Sequence, residues 1–291
     1  MNFGKIITAM VTPFDKNLKI DFSALEKLIE HLIKNGTDTL LVTGTTGESP
    51  TLSDEEKIEL YKAAIKIADG RAKVMAGTGS NSTYHSIELS VKAQEVGVDG
   101  LLLVAPYYNK PTQQGLYDHF KMIAERVDIP VMLYDVPGRT SVSIDSETLL
   151  RLSEVKNIFA VKDAAGSLDK TSKTKLLAHN LEIYSGDDSL TLPMLAVGGK
   201  GVVSVASHIV GNQMKQMINS FNCGDVQKSM QIHLNLFNLF KALFVVSNPI
   251  PVKEALNMIG VQVGGLRPPL RRIDEKSKQL LKNALEELEL I

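Results

Sequence analysis

The chain has 291 residues, with 32 Lys or Arg and 33 Asp or Glu mixed along it to a net charge of −1. That balance offers no electrostatic footprint for nucleic acid or an anionic membrane and points to a small-molecule partner. The length fits one large α/β barrel or two smaller domains, and either buries a sizeable core.

The N-terminal segment has Lys5 as its only basic residue before Pro13, which fits neither a signal nor a transit peptide, and no apolar run would span a bilayer. A cytoplasmic protein is expected. The first apolar run, 6–11, reads as a strand leading into Thr12-Pro13-Phe14, and a helical pattern capped by Asp21 follows over 22–34. A second strand, 39–42, runs into Gly44-Thr45-Thr46-Gly47-Glu48, and Ser53-Asp54-Glu55-Glu56 is a capping signal for a helix over 53–68. Further strands are expected at 73–76, 101–105, 131–134, 158–162, 182–185 and 202–205, with helical stretches between them. Eight strand-helix units are the count of a (β/α)8 barrel. A doubly wound sheet is the main rival, but it usually has fewer strands and a Gly-rich phosphate loop, and GxGxxG occurs nowhere here.

Beyond residue 225 only helical patterns remain, at 226–244, 251–258 and 275–288, punctuated by Asn248-Pro249-Ile250-Pro251. The expected organisation is a barrel over 1–225 carrying the active site and a helical region over 226–291. Cys223, the only cysteine, falls at a helix end and reads as a small packing residue. The six histidines never pair at metal-ligand spacing, so no metal or other cofactor is expected.

Chemistry concentrates where such strands end. Lys162 closes the run Asn157-Ile158-Phe159-Ala160-Val161-Lys162, which reads as a strand buried on both faces. Burial favours the neutral amine, a nucleophile toward ketones, so Lys162 is a candidate Schiff-base former. The alternative is a snorkelling lysine whose ammonium pairs with Asp163. Gly44 and Gly47 permit a tight turn that directs N–H groups and the Thr45 and Thr46 hydroxyls at a small carboxylate; an ordinary helix-capping turn would look the same. Tyr108 and Tyr134 offer phenols for proton transfer, although one of Tyr107 and Tyr108 could simply pack at the rim. Arg139, after a Pro-Gly turn, can clamp a carboxylate in bidentate fashion or form a surface salt bridge.

Together these motifs resemble the dihydrodipicolinate synthase (4-hydroxy-tetrahydrodipicolinate synthase) family of class I Schiff-base aldolase barrels. The likeness runs from Ile7-Thr8-Ala9-Met10-Val11-Thr12-Pro13-Phe14 to Pro249-Ile250-Pro251-Val252-Lys253, with Gly44-Thr45-Thr46-Gly47-Glu48-Ser49 and Tyr134-Asp135-Val136-Pro137-Gly138-Arg139-Thr140 specific in combination. The resemblance implies that Lys162 forms the imine with pyruvate and that the derived enamine attacks the aldehyde of L-aspartate 4-semialdehyde. It implies that Tyr134 moves protons, linked through Thr45 to a Tyr108 reaching in from a neighbouring subunit of a homotetramer, a dimer of dimers. Thr45 and Thr46 would hold the pyruvate carboxylate and Arg139 that of the second substrate, with the backbone of Gly186 and Val203 beside them. Asp135 departs from the usual Asn; buried beside the site, its charge would raise the pKa of Tyr134, whereas a donor behind it would neutralise that effect.

Two rivals stand against this reading. Pyruvate aldolases that cleave N-acetylneuraminate or 2-keto-3-deoxy sugar acids share the lysine and tyrosine but lack the arginine, and a non-catalytic keto-acid-binding barrel would share the pocket alone. For regulation, Ser49, Asn81 and Tyr107 match the cleft where some family members bind L-lysine, but His85 replaces an acidic residue and Asp54 and Lys57 replace histidines. Weak inhibition by L-lysine, or none, is expected.

Overall fold

The computed structural model describes residues 2–291. Eight parallel strands pair in chain order: β1 (Ile6–Ala9), β2 (Thr39–Val42), β3 (Lys73–Gly77), β4 (Gly100–Val104), β5 (Val131–Asp135), β6 (Ile158–Asp163), β7 (Glu182–Ser185) and β8 (Gly201–Ser204). Pairing of Ile6 with Val202 and Ile7 with Val203 closes the ring, giving the expected (β/α)8 barrel.

Alternation along each strand divides the apolar residues into two layers. Ile7, Leu41, Met75, Met132, Ala160 and Val203 fill the interior, while Ile6, Leu40, Val74, Leu101, Leu133 and Val161 face outward to the helices. Those helices are α1 (Phe22–Lys34), α2 (Asp54–Ala68), α3 (Thr83–Glu95), α4 (Gln113–Ala124), α5 (Pro137–Thr140), α6 (Ser146–Ser153), α7 (Leu168–Leu177), α8 (Thr191–Ala196) and α9 (Ser207–Asn222). Side-chain caps start many of them: Asp21 accepts from the Ala24 N–H, and Ser53 and Glu56 form the predicted capping box of α2.

Three helices follow: α10 (Val226–Ala242), α11 (Ile250–Met258) and α12 (Glu275–Glu286), with α10 and α11 packed on both α9 and α12. Among the described residues, no helix is long and apolar enough to cross a membrane. Boundaries moved by a residue or two, as at β1, which ends at Ala9 rather than 11. There the Val11 N–H leaves the strand ladder and donates to His208 Nε2 at 3.2 Å.

Candidate active site

The floor of the site is a pair of neighbouring strand ends. Tyr134 on β5 lies in register with Lys162 on β6, and both point into the barrel. Alternation therefore sends the next register pair, Asp135 and Asp163, to the outer face. Lys162 is 7 % exposed, and its Nζ stands 4.1 Å from the centre of the Tyr134 ring. Asp163 instead accepts from the Ala165 N–H at 2.9 Å and the Thr171 hydroxyl at 2.8 Å. The alternative of a snorkelling Lys162 paired with Asp163 is thus excluded. Burial lowers the Lys162 amine to about 7; the Asp188 carboxylate opposes the shift and the Arg139 charge adds to it.

Burial pushes the Tyr134 phenol up to about 12, against the Arg139 charge and a hydrogen bond with Thr45. Thr45 and Thr46 belong to the loop after β2. The sequence assigns the turn to its glycines, but the left-handed conformations fall on Thr43 (φ +58°) and Glu48 (φ +57°). Thr43 is held there by contacts of its hydroxyl with the Tyr61 hydroxyl at 2.7 Å and the Gly77 carbonyl at 3.0 Å. Gly47 supplies room instead: a Cβ there would meet Met10 O and Thr43 N at 3.1 Å. Inside the turn the N–H groups of Gly47 and Glu48 return to Gly44 O and Thr45 O, each at 3.1 Å. The N–H groups of Thr45 and Thr46 have no such partner among the described residues, which leaves two adjacent donors for an anion.

The loop is tied to the C-terminal helices. Asn248 Nδ2 donates to Thr46 Oγ1 at 2.9 Å, and Glu48 Oε1 meets Lys253 Nζ at 2.6 Å. Lys253 also donates to Gly265 O at 2.7 Å, while the other Glu48 oxygen accepts from the Arg267 N–H at 2.9 Å. Both cations flank Phe14, at 4.2 and 4.5 Å from its ring centre. Sequence reading treated Asn248 as punctuation and gave Lys253 no task.

Arg139 sits on the single-turn helix α5, is exposed, and forms no ion pair among the described residues, so the salt-bridge alternative is not realised. It lines a cavity of about 530 Å³ with Thr45, Tyr107 and Tyr134. The same cavity runs on to Asp54, Lys57 and His85, so the cleft identified by resemblance is continuous with the site. Asp135, buried at 1 %, is paired with Lys170 and accepts from the Ser143 hydroxyl and the Ile144 N–H, both at 3.1 Å. Lys170 pairs its charge behind Tyr134, yet Asp135 still adds a smaller upward push on the Tyr134 phenol, as its place in the sequence suggested.

Thr46, Lys162, Gly186 and Val203 lie outside the wall of that cavity. Gly186 donates to Asp163 O at 2.7 Å, and a Cβ on it would approach that of Ala164 to 2.7 Å. Val203 is packed in the barrel interior. Tyr108 projects away: it is 91 % exposed with φ +74°. Asp188, unassigned by sequence reading, is buried and accepts from Ser204 Oγ at 2.5 Å and from the Val205 and Ala206 N–H groups at 3.1 and 2.9 Å. Burial pushes its carboxyl up to about 6.

Residues 2–288 match the dihydrodipicolinate synthetase family. A 4-hydroxy-tetrahydrodipicolinate synthase of Bacillus velezensis is 54 % identical, over 99 % of this chain and 100 % of its own length. A crystal structure of a dihydrodipicolinate synthase from Bacillus anthracis superposes with a TM-score of 0.96 at 51 % identity, covering 98 % of both chains. Another from Cyanidioschyzon merolae, solved with lysine bound, superposes with a TM-score of 0.97 at 44 % identity, covering 99 % of both.

Proposed function

The chain belongs to the dihydrodipicolinate synthetase family, and on that premise we propose how its residues divide the work of a 4-hydroxy-tetrahydrodipicolinate synthase. It is a lyase of the class I aldolase kind, which joins pyruvate to L-aspartate 4-semialdehyde in lysine and diaminopimelate biosynthesis. The neutral Lys162 amine adds to the pyruvate ketone, and loss of water gives the imine. Removal of a proton from the pyruvate methyl forms an enamine, whose carbon attacks the aldehyde. Tyr134, beside Nζ and with its phenol pKa drawn down by the nearby Thr45 hydroxyl, relays the protons. The free N–H groups and hydroxyls of Thr45 and Thr46 hold the pyruvate carboxylate, with Gly186 and Val203 backbone nearby, and unpaired Arg139 takes the carboxylate of the aldehyde.

The observation that carries this reading is Lys162 itself, buried, without an ion-pair partner among the described residues and 4.1 Å from the Tyr134 ring centre. Borohydride treatment with pyruvate should add one reduced adduct to the intact mass, located on Lys162. No adduct would leave only a non-catalytic keto-acid-binding barrel. Condensation of pyruvate with aspartate semialdehyde is expected and cleavage of N-acetylneuraminate is not; the reverse would move the chain to the sugar-acid aldolases.

The proposed working form is a cytoplasmic homotetramer, a dimer of dimers, in which Tyr108 completes the relay of a neighbouring subunit. Exposed Tyr84, Tyr107 and Tyr108, at 73 %, 38 % and 91 %, support a contact there. A fully active monomer in sedimentation would contradict it.

A further inference from the structure

We propose that Asn248, contributed by the segment that enters α11, is a positioning residue for the reaction: its amide N–H sets the direction in which the Thr46 hydroxyl donates. The proposal rests on Thr46 as a holder of the pyruvate carboxylate. A hydroxyl has one proton and can accept at its lone pairs. Thr46 Oγ1 is buried and takes the Asn248 N–H at 2.9 Å, which occupies a lone pair and leaves the proton for another acceptor. Turned end for end, the amide would present Oδ1, which would consume that proton and leave no hydroxyl donor for an anion. Asn248 is 7 % exposed, and its Oδ1 is buried without a partner. An amide with no other satisfied contact at its head is held for the bond it makes to Thr46, since an orphaned buried acceptor is itself unfavourable.

The surroundings fix the pair on both sides. Glu48 follows Thr46 closely in the loop and Lys253 follows Asn248 into α11, and these two are joined at 2.6 Å. The stretch from Asn248 to Lys253 therefore grips the turn at two points, one neutral and one ionic. The ionic grip sets where the turn sits. The neutral grip sets which way its hydroxyl faces.

A double-mutant cycle tests this with Asn248→Ala and Thr46→Val, read as the KM for pyruvate and as borohydride trapping across pyruvate concentrations. Asn248→Ala should raise the pyruvate KM about tenfold, with kcat falling far less. In the Thr46→Val background it should add almost nothing. Full additivity would overturn the proposal, because Asn248 would then act independently of Thr46. Unchanged pyruvate KM in Thr46→Val alone would defeat the underlying assignment of Thr46, and this proposal with it. Full trapping at saturating pyruvate confirms that each variant is folded. Asn248→Asp, which replaces the donor by an acceptor of the same shape, should exceed Asn248→Ala in its effect on KM; a smaller effect than Ala would also overturn the assignment.

Discussion

The barrel mouth and the seam between the β2 loop and α11 each bury a lysine. Lys162 and Lys253 are 7 % and 2 % exposed, and burial lowers their amines to about 7 and about 8. Their partners differ completely. Lys253 meets Glu48, takes the Gly265 carbonyl and lies over Phe14, so its charge is matched and its geometry fixed. Lys162 has a tyrosine ring beside it and, among the described residues, no counter-ion within bonding distance. Burial makes an amine less basic, but only the absence of a partner leaves its lone pair free to attack.

The largest expected effect comes from removing the nucleophile. Lys162→Arg keeps a cation but forms no productive imine, and turnover in the condensation assay should fall about 10⁴-fold or more. Near wild-type turnover would end the contrast between the two lysines. Lys253→Met should instead act on stability, since it strands the buried Glu48 carboxylate; a loss of about 3–5 kcal/mol is expected in chemical denaturation. Lys162→Met orphans nothing and should stabilise the fold. Equal signs for the two methionine variants would show that the pairing seen at Lys253 is unimportant.

Arg139→Ala should raise the KM for aspartate semialdehyde about 10- to 100-fold while imine trapping with pyruvate stays nearly intact. Loss of trapping would give Arg139 a structural task. The rate of imine formation should climb about tenfold per pH unit up to about 7 and then level off, because the neutral amine is the reactant. For stability, the folded pKa lies below the unfolded value of 10.5, so between about 7 and 10.5 the unfolded chain holds a proton that the folded one lacks. Wild type should therefore gain stability relative to Lys162→Met as pH rises through that window; a flat difference would contradict a depressed amine.

A third lysine, Lys57, sharpens the comparison at its weakest end. It lies 3.2 Å from Asp54, whose other oxygen is 2.8 Å from His85 Nε2. Asp54, the only carboxylate among the described residues that line the cleft expected by resemblance, is thus already engaged by two basic groups, and L-lysine titrated into the assay should inhibit little. Strong inhibition at roughly sub-millimolar concentration would show that the cleft still accepts it.

The barrel was legible because eight apolar runs recur at strand length with helical patterns between them, a local periodic signal. The mouth was legible through motifs at the strand ends, although their physics was not. Pairing of Lys162 with Asp163 looked possible in a linear reading, yet strand alternation puts consecutive side chains on opposite faces. Alternation also turns Asp135 toward Lys170 and away from the site. The seam was invisible: Glu48 and Lys253 are separated by 205 positions, and nothing in either local sequence marks one as the partner of the other. Asn248 looked like punctuation because Pro249 and Pro251 dominate their surroundings.

The long reach of the seam also imposes an order on synthesis. Every strand of the barrel has been made once Ser204 is in place, but the turn at Thr46 and Glu48 still lacks Asn248, Lys253 and Arg267. At roughly 5–20 residues per second, the 205 positions between Glu48 and Lys253 take about 10–40 s to translate. Only in the last part of that interval, from Ser204 to Lys253 and lasting about 2–10 s at the same rate, can a nascent chain own a closed barrel and a buried amine while its carboxylate grip is still unset. Catalytic competence arrives last, written by the final part of the message onto a loop made near its start.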